Sequence, residues 1–284
     1  MALKNLLVAT DFSNASYAAL FYATQLMKAK PCTFYIINVY GDSTSTILKN
    51  KPLYPGKKES EQLQNASVEN LTKMMHRIVL DTANKIHNFI IISKSGALTK
   101  VLSKTIAELA IDLLVMGNKG KTGAKELFWG SNTVQMADTI SQCPLLAIPK
   151  ERAFDTIDEI ALATDFKKGC SRKTLRPLLF LAAASKAAIR VVHIEEEAIL
   201  SPKQAANKKL LKITLSKVQH SFDETLEYAD KAIVIQTFLQ QTKIKMLAMV
   251  YQKGNFFERF MREPVIKDIS IYAKIPFLIL PVQE

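Results

Sequence analysis

The stretch Met116–Thr133, MGNKGKTGAKELFWGSNT, holds the residues of this chain best suited to chemistry. An apolar run, DLLVM, leads into Gly117, and Gly120, Gly123 and Gly130 follow before Ser131, where a helix can start. Glycine lets backbone N–H groups approach an anion with no Cβ between them. A helix beginning at Ser131 adds unpaired N–H groups and the positive end of its dipole. Lys119 and Lys121 supply mobile positive charge. Together these residues read as a phosphate cradle after a parallel strand, the end at which open α/β sheets take ligands. Two common phosphate loops do not fit. A P-loop places four residues between its glycines, whereas two separate Gly117 from Gly120. A dinucleotide fingerprint requires GxGxxG, which also fails. The spacing present is G-x2-G-x9-G-S, at Gly117, Gly120, Gly130 and Ser131.

Other chemistries find less support. Hydrolysis needs a group that activates or orients water, yet His76, His87, His193 and His220 all lie outside the glycine segment. No HExxH, CxxC or clustered carboxylates suggest a fixed metal site. Cys32, Cys143 and Cys170 are far apart and read as reduced thiols of a cytoplasmic protein.

The elements that must carry this loop come as a repeat. LLVATDF (Leu6–Phe12) is echoed by IALATDF (Ile160–Phe166), and CPLLAIP (Cys143–Pro149) by IPFLILP (Ile275–Pro281). Between these anchors Asn38 matches His193, Ile92 matches Ile235 and Met116 matches Val250, so the second copy is the shorter. In the first copy, strands are predicted at Asn5–Thr10, Thr33–Val39, Phe89–Ser93, Asp112–Met116 and Pro144–Ile148. They are continuous apolar runs, as strands covered on both faces must be. Helices are predicted after Ser13, a plausible N-cap, over 60–86 and 98–110, and from Ser131 to about Ser141. Gly41–Ser60 reads as a long loop, Lys150–Asp158 as a short linker, and Pro177 as a first-turn residue or a kink. Strands alternating with helices imply parallel sheets with right-handed crossovers. The expected fold is α/β: two tandem, open, parallel five-stranded Rossmann-like sheets with helices on both faces, in domains 1–150 and 151–284.

Composition agrees. The 284 residues are 48% hydrophobic and 23% charged, enough apolar surface for two cores. No run of about 18 uncharged apolar residues is present to span a membrane, and the first residues do not read as a signal peptide. The net charge of +12 is spread along the chain and favours anionic ligands. No aromatic RNA-binding motif, zinc finger or basic heptad points to nucleic acid.

The glycine spacing, together with VATDFS after the first strand, resembles the universal stress protein family. That resemblance implies an adenine nucleotide alpha hydrolase-like fold and an adenine nucleotide, ATP or ADP or AMP, with Mg²⁺ able to arrive on its phosphates. It implies that Asp11 and the backbone of Val39 hold adenine, while the glycine loop and Ser131 hold ribose and phosphates. The implied binding set is Thr10, Asp11, Val39, Met116, Gly117, Lys119, Gly120, Gly130, Ser131 and Asn132. Where the family often has His just before the position of Val39, this chain has Asn38. In the second copy Tyr251 is expected to replace Gly117, and Arg262, Glu263 and Pro264 to replace Gly130, Ser131 and Asn132. The second copy is therefore expected to be a degenerate partner, paired with the first through the last strands, with a homodimer of chains as a further option. Three functions remain open at this point: a nucleotide-binding stress sensor, a slow ATPase that switches a partner, and a structural module without nucleotide.

Overall fold

A computed structural model describes residues 3–41, 57–118, 131–140, 142–149, 154–168, 170–193, 200–223, 244–251 and 275–283. The first half runs β1 (Asn5–Ala9), α1 (Asn14–Leu26), β2 (Cys32–Tyr40), α2 (Lys57–Thr82), β3 (His87–Ser95), α3 (Leu98–Glu108), β4 (Leu113–Asn118), α4 (Ser131–Thr139) and β5 (Leu145–Pro149). The second runs β6 (Glu159–Thr164), α5 (Arg172–Ser185), β7 (Ala188–His193), α6 (Pro202–Leu215), β8 (His220–Asp223), β9 (Met246–Tyr251) and β10 (Phe277–Pro281).

The ten strands form a single sheet in the order β3-β2-β1-β4-β5-β10-β9-β6-β7-β8. Every ladder is parallel except β5 with β10. Each half is thus an open parallel five-strand order, and the antiparallel ladder makes the two halves one sheet. In that ladder Leu146 lies opposite Leu278, with Leu145 against Ile279 and Ala147 against Phe277. The CPLLAIP and IPFLILP echo gives Leu146 and Leu278 the same place in the repeat. A local two-fold axis therefore passes between them, as in an isologous interface.

Residues of β5 and β10 are buried throughout, and the core runs across the junction on both faces. On one face Leu146, Ile148, Leu278 and Leu280 belong to a core shared with α1, α2, α5 and α6. On the other, Leu145, Ala147, Phe277 and Ile279 belong to a core shared with α3 and α4. Further contacts bridge the halves: Arg176 to Asp112 at 3.4 Å, Gln283 Nε2 to the Gln142 carbonyl at 2.9 Å, and Tyr251 Oη to Asp138 on α4.

Local signals explain most elements. The Ser13 side chain caps α1 by accepting from the Ser16 N–H, and Ala15, Ala19, Tyr22 and Leu26 are buried. Ser201 and Gln204 form a capping box on α6. Three expectations are corrected. Residues 57–60 belong to α2, not to the preceding loop. Pro177 is not a first-turn residue; it sits buried in the second turn of α5. Strand β8 lies at His220–Asp223, so the partner of Ile92 in the repeat is Asp223, not Ile235. Register decides this, because Ile37 pairs with Ile92 and Val192 with Asp223. Of the predicted linker, residues 154–158 carry no regular structure.

Candidate functional site

In the first half the chain moves from β1 to β2 on one side and then crosses to β4 on the other. The β1/β4 boundary is therefore the switch point of the sheet, where a crevice opens outside the carboxyl ends of the strands. Ala9 pairs with both Ile37 and Met116. One residue beyond, Thr10, Asn38 and Gly117 come level, with Asp11 and Val39 next to them. Three segments remote in sequence thus present the candidate residues at a single end of the sheet.

The turn after β1 is tightly determined. The Thr10 N–H donates to the Ile37 carbonyl at 2.9 Å. Thr10 Oγ1 accepts from the Phe12 N–H at 2.9 Å and meets Ser16 Oγ at 2.9 Å. Phe12 takes φ of 63°, a left-handed value that costs a non-glycine residue about 1–2 kcal/mol. Asp11 is exposed, and its Oδ1 accepts from the N–H and hydroxyl of Ser13. The carboxylate is held in one orientation at the N-terminus of α1, where the helix dipole favours a negative charge. Asp11 can serve both the helix and a ligand.

Gly117 has a packing reason to be glycine. A Cβ there would lie 2.5 Å from the Ala15 carbonyl oxygen and 2.9 Å from the Ser16 nitrogen. The close approach locks the end of β4 against the first turn of α1. Met116 and Asn118 on either side are buried. Asn132 is exposed and Thr133 buried in the first turn of α4, which begins at Ser131. Lys119, Gly120, Gly130, Gly123 and Trp129 lie outside the described residues.

The second half keeps the turn and changes what surrounds it. Thr164 Oγ1 accepts from the Phe166 N–H at 3.0 Å, Asp165 Oδ1 accepts from the Lys167 N–H at 2.9 Å, and Phe166 has φ of 55°. Here, however, α6 reaches over the turn. Gln204 donates to the Asp165 carbonyl at 2.9 Å, and Asn207 to the carbonyls of Phe166 at 2.7 Å and Lys167 at 3.1 Å. The Phe166 ring is fully buried and stacks on His193 at 4.4 Å. One expectation shifts by a residue. Since Ala163 pairs with Met249, and Leu280 with Val250, the counterpart of Gly117 is Val250, and Tyr251 stands where Asn118 does. The expected replacements Arg262, Glu263 and Pro264 lie outside the described residues.

A buried polar chain beneath the site escaped the reading of motifs. Asn38 Nδ2 donates to the Thr10 carbonyl at 2.8 Å, Ser67 Oγ donates to Asn38 Oδ1 at 2.8 Å, and Ser93 Oγ donates to Ser67 Oγ at 2.8 Å. A signal for it exists: Ser67 heads the buried stripe that continues with Leu71, Met74 and Ile78 of α2, and Asn38 interrupts the apolar run of β2. Among the described residues no cluster of His, Cys, Asp and Glu is suited to a metal ion, and no helix is long and apolar enough to cross a membrane.

The model of the universal stress protein family matches residues 2–149. The chain belongs to the universal stress protein family. Among solved structures, it resembles a universal stress protein from Archaeoglobus fulgidus DSM 4304 at a TM-score of 0.69 and 13% identity, covering 99% of both chains. A putative universal stress protein from Pseudomonas aeruginosa UCBPP-PA14 superposes at 0.57 and 9% identity, over 98% of this chain and 93% of that one. At such identities the likeness concerns the fold. It extends the universal stress protein layout over the whole length, second half included. No curated protein matches the sequence.

Proposed function

We propose that this universal stress protein binds one adenine nucleotide, ATP or its di- or monophosphate, and acts as a nucleotide-dependent regulator of a stress response in the cytoplasm. The observation that carries the reading is the convergence of Asp11, Val39 and Gly117 at the β1/β4 switch point, directly before a loop with the spacing G-x2-G-x9-G-S. In this reading the Asp11 carboxylate and the Val39 backbone hold the base, flanked by Thr10 and Met116. Gly117, Gly120, Gly130, Ser131 and Asn132 hold ribose and phosphates, Lys119 adds counter-charge, and any Mg²⁺ arrives with the phosphates. Residues 1–150 form the binding domain, and residues 151–284 a domain that has given up its own site and pairs with the first inside one chain. The sealing of the Asp165 turn by Gln204 and Asn207, and the presence of Val250 in place of Gly117, favour a single site per chain.

Calorimetric titration of the full chain tests this. The parent is expected to bind ATP with one site per chain. Asp11→Ala should weaken ATP while leaving inorganic tripolyphosphate unchanged, because Asp11 is assigned to the base. Ser131→Ala should cost about 0.5–1.5 kcal/mol through a lost hydroxyl contact. Two equivalent sites, or an Asp11→Ala protein with parental ATP affinity, would overturn the assignment.

A further inference from the structure

The two groups assigned to the base sit on segments that stop sharing a backbone ladder just before they are needed. Pairing of β1 with β2 ends at Ala9 and Ile37, and the Thr10 N–H bond to the Ile37 carbonyl is the last rung. Beyond it β1 turns into α1 while β2 runs on to Tyr40. A side chain takes over where the backbone leaves off. The buried Asn38 spans the gap by donating to the Thr10 carbonyl. It thereby ties the residue before Asp11 to the residue before Val39.

Asparagine suits this bridge because one planar group carries a donor and an acceptor on opposite sides. Its orientation is set from behind. Ser67 donates to the amide oxygen, and Ser93 donates to Ser67, so protons along the chain all point one way. A flipped amide would set its oxygen against the Thr10 carbonyl and its NH₂ against the Ser67 hydroxyl proton. The chain joins β1, β2, β3 and α2, and none of its three side chains is expected to touch ligand.

We propose that Asn38 is the positioning residue for base recognition, oriented by Ser67, and that the Ser93–Ser67–Asn38–Thr10 chain holds Asp11 and Val39 at the spacing adenine requires. Adenine offers an amino donor beside a ring-nitrogen acceptor, and guanine reverses that polarity, so an acceptor and a donor at fixed separation discriminate the two. This inference rests on the adenine-nucleotide reading and goes beyond it by naming what fixes selectivity.

The test measures ATP, GTP and inorganic tripolyphosphate affinities of the full chain by calorimetry, at a temperature where circular dichroism shows every variant folded. Asn38→Leu is expected to weaken ATP about tenfold, the equivalent of one well-placed hydrogen bond, with tripolyphosphate unchanged and the ATP:GTP ratio reduced. Asn38→His should restore part of the ratio, since imidazole can donate to the Thr10 carbonyl and His193 stands at this place in the second half. Ser67→Ala should lower the ratio less, and Ser67→Thr should recover it; this pair carries the test if Asn38→Leu does not fold. Merely structural damage would weaken ATP and tripolyphosphate together and overturns the proposal. So do folded Asn38→Leu and Ser67→Ala proteins with the parental ATP:GTP ratio. A parent that binds no ATP defeats the adenine reading itself, before any variant is compared.

Discussion

Gly117→Ala is expected to destabilise this protein by about 3 kcal/mol, the upper end of the usual cost of overpacking. A single added carbon would sit 2.5 Å from the Ala15 carbonyl oxygen and 2.7 Å from its carbon. These are backbone atoms of the first turn of α1, and that turn cannot step aside. The Ser13 cap, the Tyr17 N–H bond to the Ser13 carbonyl at 3.0 Å and the Thr10–Ser16 hydroxyl contact all hold it. Relief would require α1 to tilt from the sheet, which would also shift the Asp11 turn. Loss of stability should therefore come with weaker binding of the proposed nucleotide. Gly41 is the contrast: a Cβ there meets nothing within 4 Å, and the cost of alanine comes only from its φ of +77°. Chemical denaturation of both variants beside the parent decides the matter. A Gly117→Ala protein of parental stability would mean that β4 does not clamp α1.

Ala147→Pro is the second large effect, and it acts on the join between halves. The Leu114 N–H donates to the Pro144 carbonyl, so even-numbered residues of β5 direct their backbone groups at β4 and odd-numbered ones at β10. Proline at 147 removes an N–H from the cross-half ladder and leaves a buried carbonyl of β10 without its donor, at about 1–3 kcal/mol. That ladder has three residue pairs, and the cores on both faces run across it. An exposed apolar edge invites association with other chains. The variant is expected to melt earlier and to sediment as larger species, while Ala147→Gly, which keeps the N–H, should remain monodisperse. Parental melting and sedimentation of Ala147→Pro would show that the join does not depend on this ladder.

Much of the frame is legible in the residues alone. Continuous apolar runs betray the strands of the first half, although β3, at the sheet edge, has no fully buried residue, and Ser13 is recognisable as a cap. The matching segments at both ends of each copy reveal the repeat. The third strand of the second half is not legible that way. His220–Asp223 is short, polar and partly exposed at the outer edge of the sheet, so no apolar run marks it. The apolar Ile235 is the more tempting match, and it is wrong. The counterpart of Gly117 is off by one residue for a related reason. Val250 and Tyr251 resemble neither Gly117 nor Asn118, so composition leaves the register open, and only the ladders of β9 with β6 and β10 close it. The Asn38 chain depends on α2 lying across β2 and β3, a tertiary fact that no local spacing encodes. As for the binding set itself, the spacing of the glycine loop carries more than its surroundings do, because glycines declare close approach without naming what approaches.

The axis between Leu146 and Leu278 has an evolutionary consequence. In a symmetric pair of identical short chains every substitution lands twice, so a valine at the place of Gly117 would strike both copies at once. Joined in tandem, the copies mutate separately. The second could therefore accept Val250 and lengthen its approach to the helix, from Asp11–Asn14 in the first half to Asp165–Arg172 in its own. It still offers a matching strand across the axis. Two halves carried on one chain are thus free to differ at every position but those of the seam, where each remains the other's constraint.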